Sequence, residues 1–232
     1  MKWGAMRGCL VAGVAAVAMA EAADAHAGMS GTVTLASDYV WRGSSQTGED
    51  PAVQAGVRAG HDTGWYASLW GSNVAFDPDL GARTEFDVMV GWTRALSDDW
   101  SVDAGVTRYL YPGTGRQLDW TEVSVTATLR EHAWLQVAHS RDALAGGHPG
   151  TYAQLGGRLA LSDTTRLEAA YGRYGLSRAQ GRDYQHVQFS VFHAISPAWE
   201  VRLTGHATDR AARSLFPGNA GTRMEFALQA SF

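Results

Sequence analysis

The last ten residues of the chain alternate strictly between two kinds of side chain. One face carries Met224, Phe226, Leu228, Ala230 and Phe232, and the other carries Arg223, Glu225, Ala227, Gln229 and Ser231. An apolar side and a charged side with a two-residue period indicate a β-strand, because successive side chains of a strand point to opposite faces. A strand of a soluble sandwich would show the same period, so the environment must be inferred from the rest of the chain.

The first 27 residues have the layout of a secretory signal peptide. Lys2 and Arg7 precede an apolar run over residues 9–20, and Ala25-His26-Ala27 provides a small-x-small cleavage site. The run is too short to span a bilayer as a permanent helix. We predict cleavage after Ala27, although an earlier alanine would also serve, and this leaves residues 28–232 as one domain.

Similar alternation recurs along the rest of the chain. The predicted strands lie near 31–42, 52–60, 65–73, 83–94, 100–110, 119–129, 133–140, 151–160, 165–174, 185–195, 199–208 and 222–232. Short turns alternate with long loops around an even number of strands, as in bacterial outer-membrane barrels. The sheet must close, because an open edge cannot be satisfied in hydrocarbon. We therefore predict an all-β fold, a transmembrane antiparallel up-and-down β-barrel of about twelve strands, with both chain ends in the periplasm.

Aromatic residues cluster near the predicted strand ends. Trp65, Trp100 and Trp199 directly follow short turns, and Trp134 follows a turn one residue later. These positions predict an aromatic ring at one membrane interface. A second ring is expected toward the opposite strand ends, from Tyr39, Trp41, Trp92, Tyr109, Tyr111 and Trp120.

The polar faces of the predicted strands carry charges of both signs. The inward, pore-lining candidates are Asp38, Arg42, Arg58, Glu85, Asp87, Asp103, Glu122, Arg158, Arg166, Glu168, Glu200, Arg202, Arg223 and Glu225. Such charges either line a water-filled path and tune which ions pass, or pair across the interior and fill it. Eight-stranded barrels are packed and sixteen-stranded ones leave a channel, so about twelve strands permit both. Arg42 and Asp38, near the outer end of the first strand, are the candidates for a constriction.

Several chemistries find no support in the sequence. The only cysteine, Cys9, and the only lysine, Lys2, lie in the predicted signal peptide. The rest of the chain therefore offers no disulfide, cysteine metal site or Schiff-base lysine. The histidines have no ligand spacing, although His186 and His206 are predicted to face inward, and a net charge of −4 does not favour nucleic acid. We expect no metal, no cofactor and no enzymatic activity.

Several blocks of the sequence resemble one family of outer-membrane proteins. They are residues 37–46 (SDYVWRGSSQ), 50–54 (DPAVQ), 64–67 (GWYA) with Trp70 and 72–74 (SNV), then 111–113 (YPG) and 121–122 (TE). These blocks are similar to the TorF family of porin-like proteins, which carry the Gcw_chp domain. The resemblance implies a barrel in the outer membrane of a Gram-negative bacterium. The last strand resembles the closing strand of such barrels and implies that outer-membrane assembly machinery binds it through Phe232.

These observations lead to one expected function and two alternatives. We expect a narrow passive channel, embedded in membrane lipid, for small polar solutes or ions. The first alternative is a structural or adhesive barrel with a blocked lumen. The second is an outer-membrane phospholipase-type enzyme using Ser, His and Asn, which needs a nucleophile, a base and an orienting group in contact. The only asparagines, Asn73 and Asn219, do not lie beside a Ser–His pair in the predicted strands.

Overall fold

The computed structural model of the protein describes residues 28–76 and 79–232. The predicted signal peptide lies outside the described residues. Within them the chain forms strands β1 (Gly28–Ala36), β2 (Val40–Trp41), β3 (Ser44–Ser45), β4 (Ala52–Gly60), β5 (Trp65–Asn73), β6 (Thr84–Ala95), β7 (Trp100–Leu110), β8 (Trp120–Leu129), β9 (Ala133–Ser140), β10 (Gly150–Ala160), β11 (Thr165–Gly175), β12 (Tyr184–Ser196), β13 (Trp199–Thr208) and β14 (Arg223–Ser231). Two short helices are α1 (Ser177–Gln180) and α2 (Arg210–Leu215), and residues 143–145 form a 3₁₀ turn.

Twelve of the strands in the described ranges form one closed antiparallel barrel. The barrel closes where β1 pairs with β14, and on its other side β1 pairs with β4. All other barrel neighbours are consecutive in the sequence, so the topology is up-and-down. The predicted fold class is confirmed, and several predicted strands, such as 52–60 and 199–208, have the observed limits. The predicted first strand, 31–42, is wrong beyond Ala36, where β1 ends.

The alternation places apolar side chains outside the barrel and polar ones inside. On β6, Phe86 and Val88 are exposed while Glu85 is buried, and on β14 Phe226 is exposed while Glu225 is buried. A surface of exposed aliphatic and aromatic side chains around a closed barrel is the surface that lipid covers. The protein is therefore an outer-membrane β-barrel. None of the helices in the described residues is long and apolar enough to cross a bilayer.

Three of the four tryptophans predicted to form an interfacial ring lie on the outside of the barrel. Trp65, Trp100 and Trp199 are 58%, 47% and 47% exposed and begin their strands after short turns. Trp134 is only 8% exposed and points inward. Its position explains this correction, because Trp134 is the second residue of β9 and a shift of one residue moves a side chain to the opposite face.

The second predicted aromatic ring is wrong. Trp92 lies opposite Trp65 on the neighbouring strand, at the short-turn end of the barrel, where its Nε1 donates to the Thr63 carbonyl at 3.1 Å. Five other members contribute to the interior, where Tyr111 donates to the Glu85 carboxylate and the rings of Tyr39, Trp41, Tyr109 and Trp120 are buried. Tyr109 and Trp120 lie on the inward faces of their strands, as Asp103 and Glu122 do. Tyr39 and Trp41 are buried because they follow the end of β1, in a segment that turns into the barrel.

Candidate functional site

After β1 the chain turns into the barrel instead of continuing along its wall. Residues 37–47, here called the lumen hairpin, contain the paired strands Val40–Trp41 and Ser44–Ser45. Between them, Arg42 and Gly43 have φ values of 48° and 82°, because a type I′ turn requires positive φ at both central residues. The hairpin is buried on both of its faces, so it fills part of the barrel interior.

Inward aromatic side chains from six strands surround the lumen hairpin. This aromatic collar consists of Trp70, Tyr109, Trp120, Tyr152, Tyr174 and Tyr184. The hairpin residue Trp41 contacts three collar rings edge-on at centroid distances of 6.0–6.2 Å. On the other side, Tyr39 of the hairpin contacts Trp70 at 5.3 Å. Edge-on ring pairs of this kind add to the free energy of burial and fix the position of the hairpin.

Arg42 joins the tip of the lumen hairpin to the barrel wall. Its guanidinium donates to both carboxylate oxygens of Glu122 on β8, at 2.9 and 2.7 Å. The guanidinium carbon also lies 3.9 Å from the ring centroid of Tyr152 and 4.3 Å from that of Trp41. Tyr184 donates its hydroxyl to the Arg42 carbonyl at 3.1 Å. Bidentate hydrogen bonds to a carboxylate and contacts with aromatic faces are both favourable for an arginine guanidinium.

Asp38 holds the base of the lumen hairpin. Its carboxylate accepts hydrogen bonds from Ser45 Oγ at 2.6 Å and Thr47 Oγ1 at 2.9 Å, both within the hairpin. Arg223 of β14 donates to the same carboxylate at 3.4 Å and ties the base to the wall. Asp38 is therefore in the hairpin rather than on the first strand, and its contacts make it a positioning residue for Arg42.

Three interior arginines of β10, β11 and β13 form ion pairs within the wall from β10 to β14. Arg158 Nε lies 2.8 Å from Glu168 Oε1, and Arg166 Nε lies 3.2 Å from the same oxygen. Arg166 also pairs with Glu200. On the adjacent strands Arg202 pairs with Glu225, which also lies 3.1 Å from His206 Nε2. Opposite charges on neighbouring strands thus compensate each other along this wall.

The wall formed by β4 to β7 is more acidic. Asp103 accepts from the Tyr66 hydroxyl at 2.8 Å, and the guanidinium carbon of Arg58 lies 3.4 Å from the Tyr66 ring centroid. Glu85 accepts from the Tyr111 hydroxyl at 2.9 Å through Oε1. Glu85 Oε2 and Asp87 Oδ1 are buried and have no hydrogen-bond partner within the described residues. Neither carboxylate forms an ion pair there, so this wall holds two carboxyl groups that no arginine compensates.

A small cavity remains between the lumen hairpin and the wall of β12 to β14. Its volume is about 20 Å³, and its lining includes Tyr39, Gln188, Ser190, Arg202, His206 and Glu225. A polar space of this size holds about one water molecule. The described residues contain no group of three or more His, Cys, Asp or Glu side chains that could hold a metal ion.

All fourteen sequence-predicted charges lie inside the barrel, either on the inward face of a strand or in the lumen hairpin. The hairpin brings Arg42 and Glu122 together across a sequence separation of 80 residues. Sequence reasoning missed the collar residues Tyr152, Tyr174 and Tyr184. The two-residue period of the strands could have predicted that they point inward. Tyr174, for example, lies six positions from Glu168 on the same strand and must share its face.

The family of the chain follows from its sequence. Residues 19–224 match the family described as bacterial protein of unknown function (Gcw_chp). The chain belongs to the Gcw_chp family. This match confirms the Gcw_chp resemblance, and residues 37–46, its most specific block, form most of the lumen hairpin. No curated protein matches the chain.

Solved structures show where the Gcw_chp barrel belongs among known folds. The KdgM porin has a TM-score of 0.57 at 9% identity, over 88% of this chain and 99% of that chain. The KdgM porin in complex with disordered oligogalacturonate has a TM-score of 0.57 at 7% identity, over 88% of this chain and 98% of that chain. The NanC porin has a TM-score of 0.52 at 11% identity, over 88% of this chain and 99% of that chain. At these identities the likeness is one of fold, and this Gcw_chp protein has the fold of outer-membrane porins.

Proposed function

We propose that the protein is an outer-membrane channel for passive diffusion of small polar solutes or ions. The observation that carries the proposal is the interior of the closed barrel, which is charged and polar where a packed protein would have an apolar core. Buried ion pairs stabilise a dry interior no better than apolar side chains of similar volume. A barrel with a charged interior and an apolar exterior is the arrangement of channels in the outer membrane.

The lumen hairpin is the proposed constriction of this channel. Arg42 reaches from the hairpin to Glu122 on the wall, and both side chains are nearly fully buried. The Arg42–Glu122 pair therefore divides the interior where the collar narrows it. Asp38 contributes indirectly, by holding the base of the hairpin.

Single-channel recording tests this proposal. The full-length chain is expressed with export, and the protein is purified from outer membranes and placed in a planar bilayer after a heat-modifiable gel shift confirms folding. We expect stable open steps, and larger steps for Arg42→Ala, because the shortened side chain no longer bridges the interior. Arg108→Ala, which removes an arginine paired with Asp119 at the partly exposed outer end of β7, is the matched control with unchanged steps.

One observation favours a second candidate, the structural or adhesive barrel with a blocked lumen. The lumen hairpin is buried on both faces, and the neighbouring cavity is only about 20 Å³. If the folded protein and Arg42→Ala are both silent in the bilayer, diffusion is contradicted and the blocked barrel takes its place.

The proposal includes export by a cleaved signal peptide over residues 1–27. Amino-terminal sequencing of the protein purified from outer membranes should begin at Gly28, because Ala25 and Ala27 provide the small residues that the cleavage site requires. A mature chain that begins with Met1 would contradict this part of the proposal. Binding of assembly machinery through Phe232 stays a prediction.

A further inference from the structure

The charges inside the barrel are not balanced around its circumference. The interior arginines are Arg42, Arg58, Arg158, Arg166, Arg202 and Arg223, and the interior carboxylates are Asp38, Glu85, Asp87, Asp103, Glu122, Glu168, Glu200 and Glu225. Six positive and eight negative groups leave two carboxylates in excess.

Most of the interior arginines form ion pairs. Arg42, Arg158, Arg166, Arg202 and Arg223 each lie within ion-pair distance of a carboxylate. Arg58 stacks on the ring of Tyr66, whose hydroxyl donates to Asp103, so this arginine and this carboxylate share one partner. Asp103, Glu85 and Asp87 form no ion pair with an arginine among the described residues, but only Glu85 and Asp87 also lack an arginine that shares a partner with them.

Glu85 and Asp87 are neighbours on the inward face of β6. Glu85 is only 2% exposed, and its Oε2 has no hydrogen-bond donor within the described residues. The same is true of Asp87 Oδ1. A buried carboxylate oxygen without a donor costs free energy unless a proton, a cation or a water molecule lies against it. The unpartnered oxygens therefore mark a place in the interior where a cation is favoured.

Tyrosine rings, rather than arginines, surround this pair. Tyr109 lies opposite Asp87 on the adjacent strand. Tyr111 donates to Glu85, and Tyr39 of the lumen hairpin packs on the same side of the barrel, against Trp70. The neighbours of Glu85 and Asp87 thus bring no positive charge to these two carboxyl groups.

We infer that Glu85 and Asp87 make the lumen selective for small cations. The inference rests on the proposed diffusion function, since selectivity requires passage. Permeant cations are attracted to the acidic wall of β6, where the two carboxylates replace part of their hydration. Anions are disfavoured there, because no interior arginine lacks a carboxylate or an aromatic partner to compensate it.

The reversal potential in a potassium chloride gradient tests this inference. Three proteins are recorded at pH 8, each after its heat-modifiable gel shift confirms folding. They are the wild type, the near-isosteric double variant Glu85→Gln/Asp87→Asn, and the control Asp98→Asn/Asp163→Asn. The control removes the same charge from two exposed residues of short turns.

We expect cation preference in the wild type and in the control. In Glu85→Gln/Asp87→Asn the cation-over-anion permeability ratio should fall about fivefold or more. Even in water, one unit charge at about 4 Å changes an ion's energy by about 1 kcal/mol, which is about a fivefold change in its occupancy. Anion preference in the wild type, or equal reversal potentials in all three proteins, overturns the inference and leaves the channel proposal standing. Silence of all three folded proteins overturns the channel proposal, and the inference with it.

Discussion

Gly43 lies at the tip of the lumen hairpin, where a conformational and a steric requirement coincide. Its φ is 82°, and a Cβ added there would lie 2.7 Å from Thr208 Cγ2 and 2.8 Å from His186 Cβ. Gly113, in an outer loop, has nearly the same φ of 81° but nothing within 4 Å of an added Cβ. A comparison of alanine substitutions at the two glycines therefore distinguishes the effect of backbone strain from the effect of contact with the barrel wall.

We expect Gly43→Ala to displace the lumen hairpin and Gly113→Ala to leave it in place. Backbone strain alone lowers the free energy of unfolding by about 1 kcal/mol in both variants. Only the substitution at residue 43 also forces the hairpin to move away from the wall. Trypsin reports the difference, because it cuts after Arg42 only when that buried residue becomes accessible. Mass spectrometry should find the cut after Arg42 in folded Gly43→Ala and not in Gly113→Ala. Equal protection of both variants would show that the hairpin tolerates a side chain at its tip.

The direction of each interior side chain could be predicted from the sequence at the residue scale. The two-residue period fixes which residues share a face, so Glu85 and Asp87, or Glu200 and Arg202, were placed inward correctly. The location of the aromatic residues was harder to predict, because aromatic rings are common both in interfacial belts and in interior clusters. The face of the strand on which the residue lies decides between these two locations. Trp120, for example, shares the face of Glu122 and is buried with it.

At the scale of elements, the lumen hairpin is an insertion between two strands that are already paired. Ala36, the last residue of β1, lies directly opposite Ala52, the first residue of β4. A short turn could therefore connect these strands. We expect replacement of residues 38–47 by a short Gly-Ser linker to leave a folded barrel, because the pairing of the twelve barrel strands does not involve the hairpin.

The conductance of this deletion variant should exceed that of the wild type, since the hairpin and its Arg42–Glu122 pair no longer occupy the interior. Planar-bilayer recording measures the change, and a linker that replaces the exposed loop residues 177–182 serves as the control. If the hairpin deletion and the loop replacement give steps of equal size, the hairpin is not the constriction.

Sequence patterns could not predict this hairpin. The alternation of Asp38, Tyr39, Val40 and Trp41 continues the two-residue period of β1. The local sequence pattern therefore predicts a strand that runs beyond Ala36. The contacts that fold the segment inward join Arg42 to Glu122 and to Tyr184, over 80 and 142 positions. Contacts of this range depend on closure of the whole barrel, and no window of the sequence contains them.

The whole molecule combines a lipid-facing apolar surface with a ring of tryptophans at its short-turn end. Trp65, Trp100 and Trp199 are exposed at the start of their strands, whereas Trp134 at the same end points inward and donates to Gln154 Oε1 at 3.2 Å. Tryptophan prefers the interface because its ring is apolar and its N–H is polar. This arrangement predicts that three of these four rings contact lipid.

Quenching by brominated lipids measures which rings do so. In vesicles of lipids brominated near the headgroups, wild-type fluorescence should be quenched, and each of Trp65→Phe, Trp100→Phe and Trp199→Phe should reduce the quenched fraction. Trp134→Phe should lower the total fluorescence but leave the quenched component unchanged, because the barrel wall separates this ring from lipid. A loss of quenching in Trp134→Phe equal to that in Trp100→Phe would place the Trp134 ring outside the barrel, and the inward phase assigned to β9 would then be wrong.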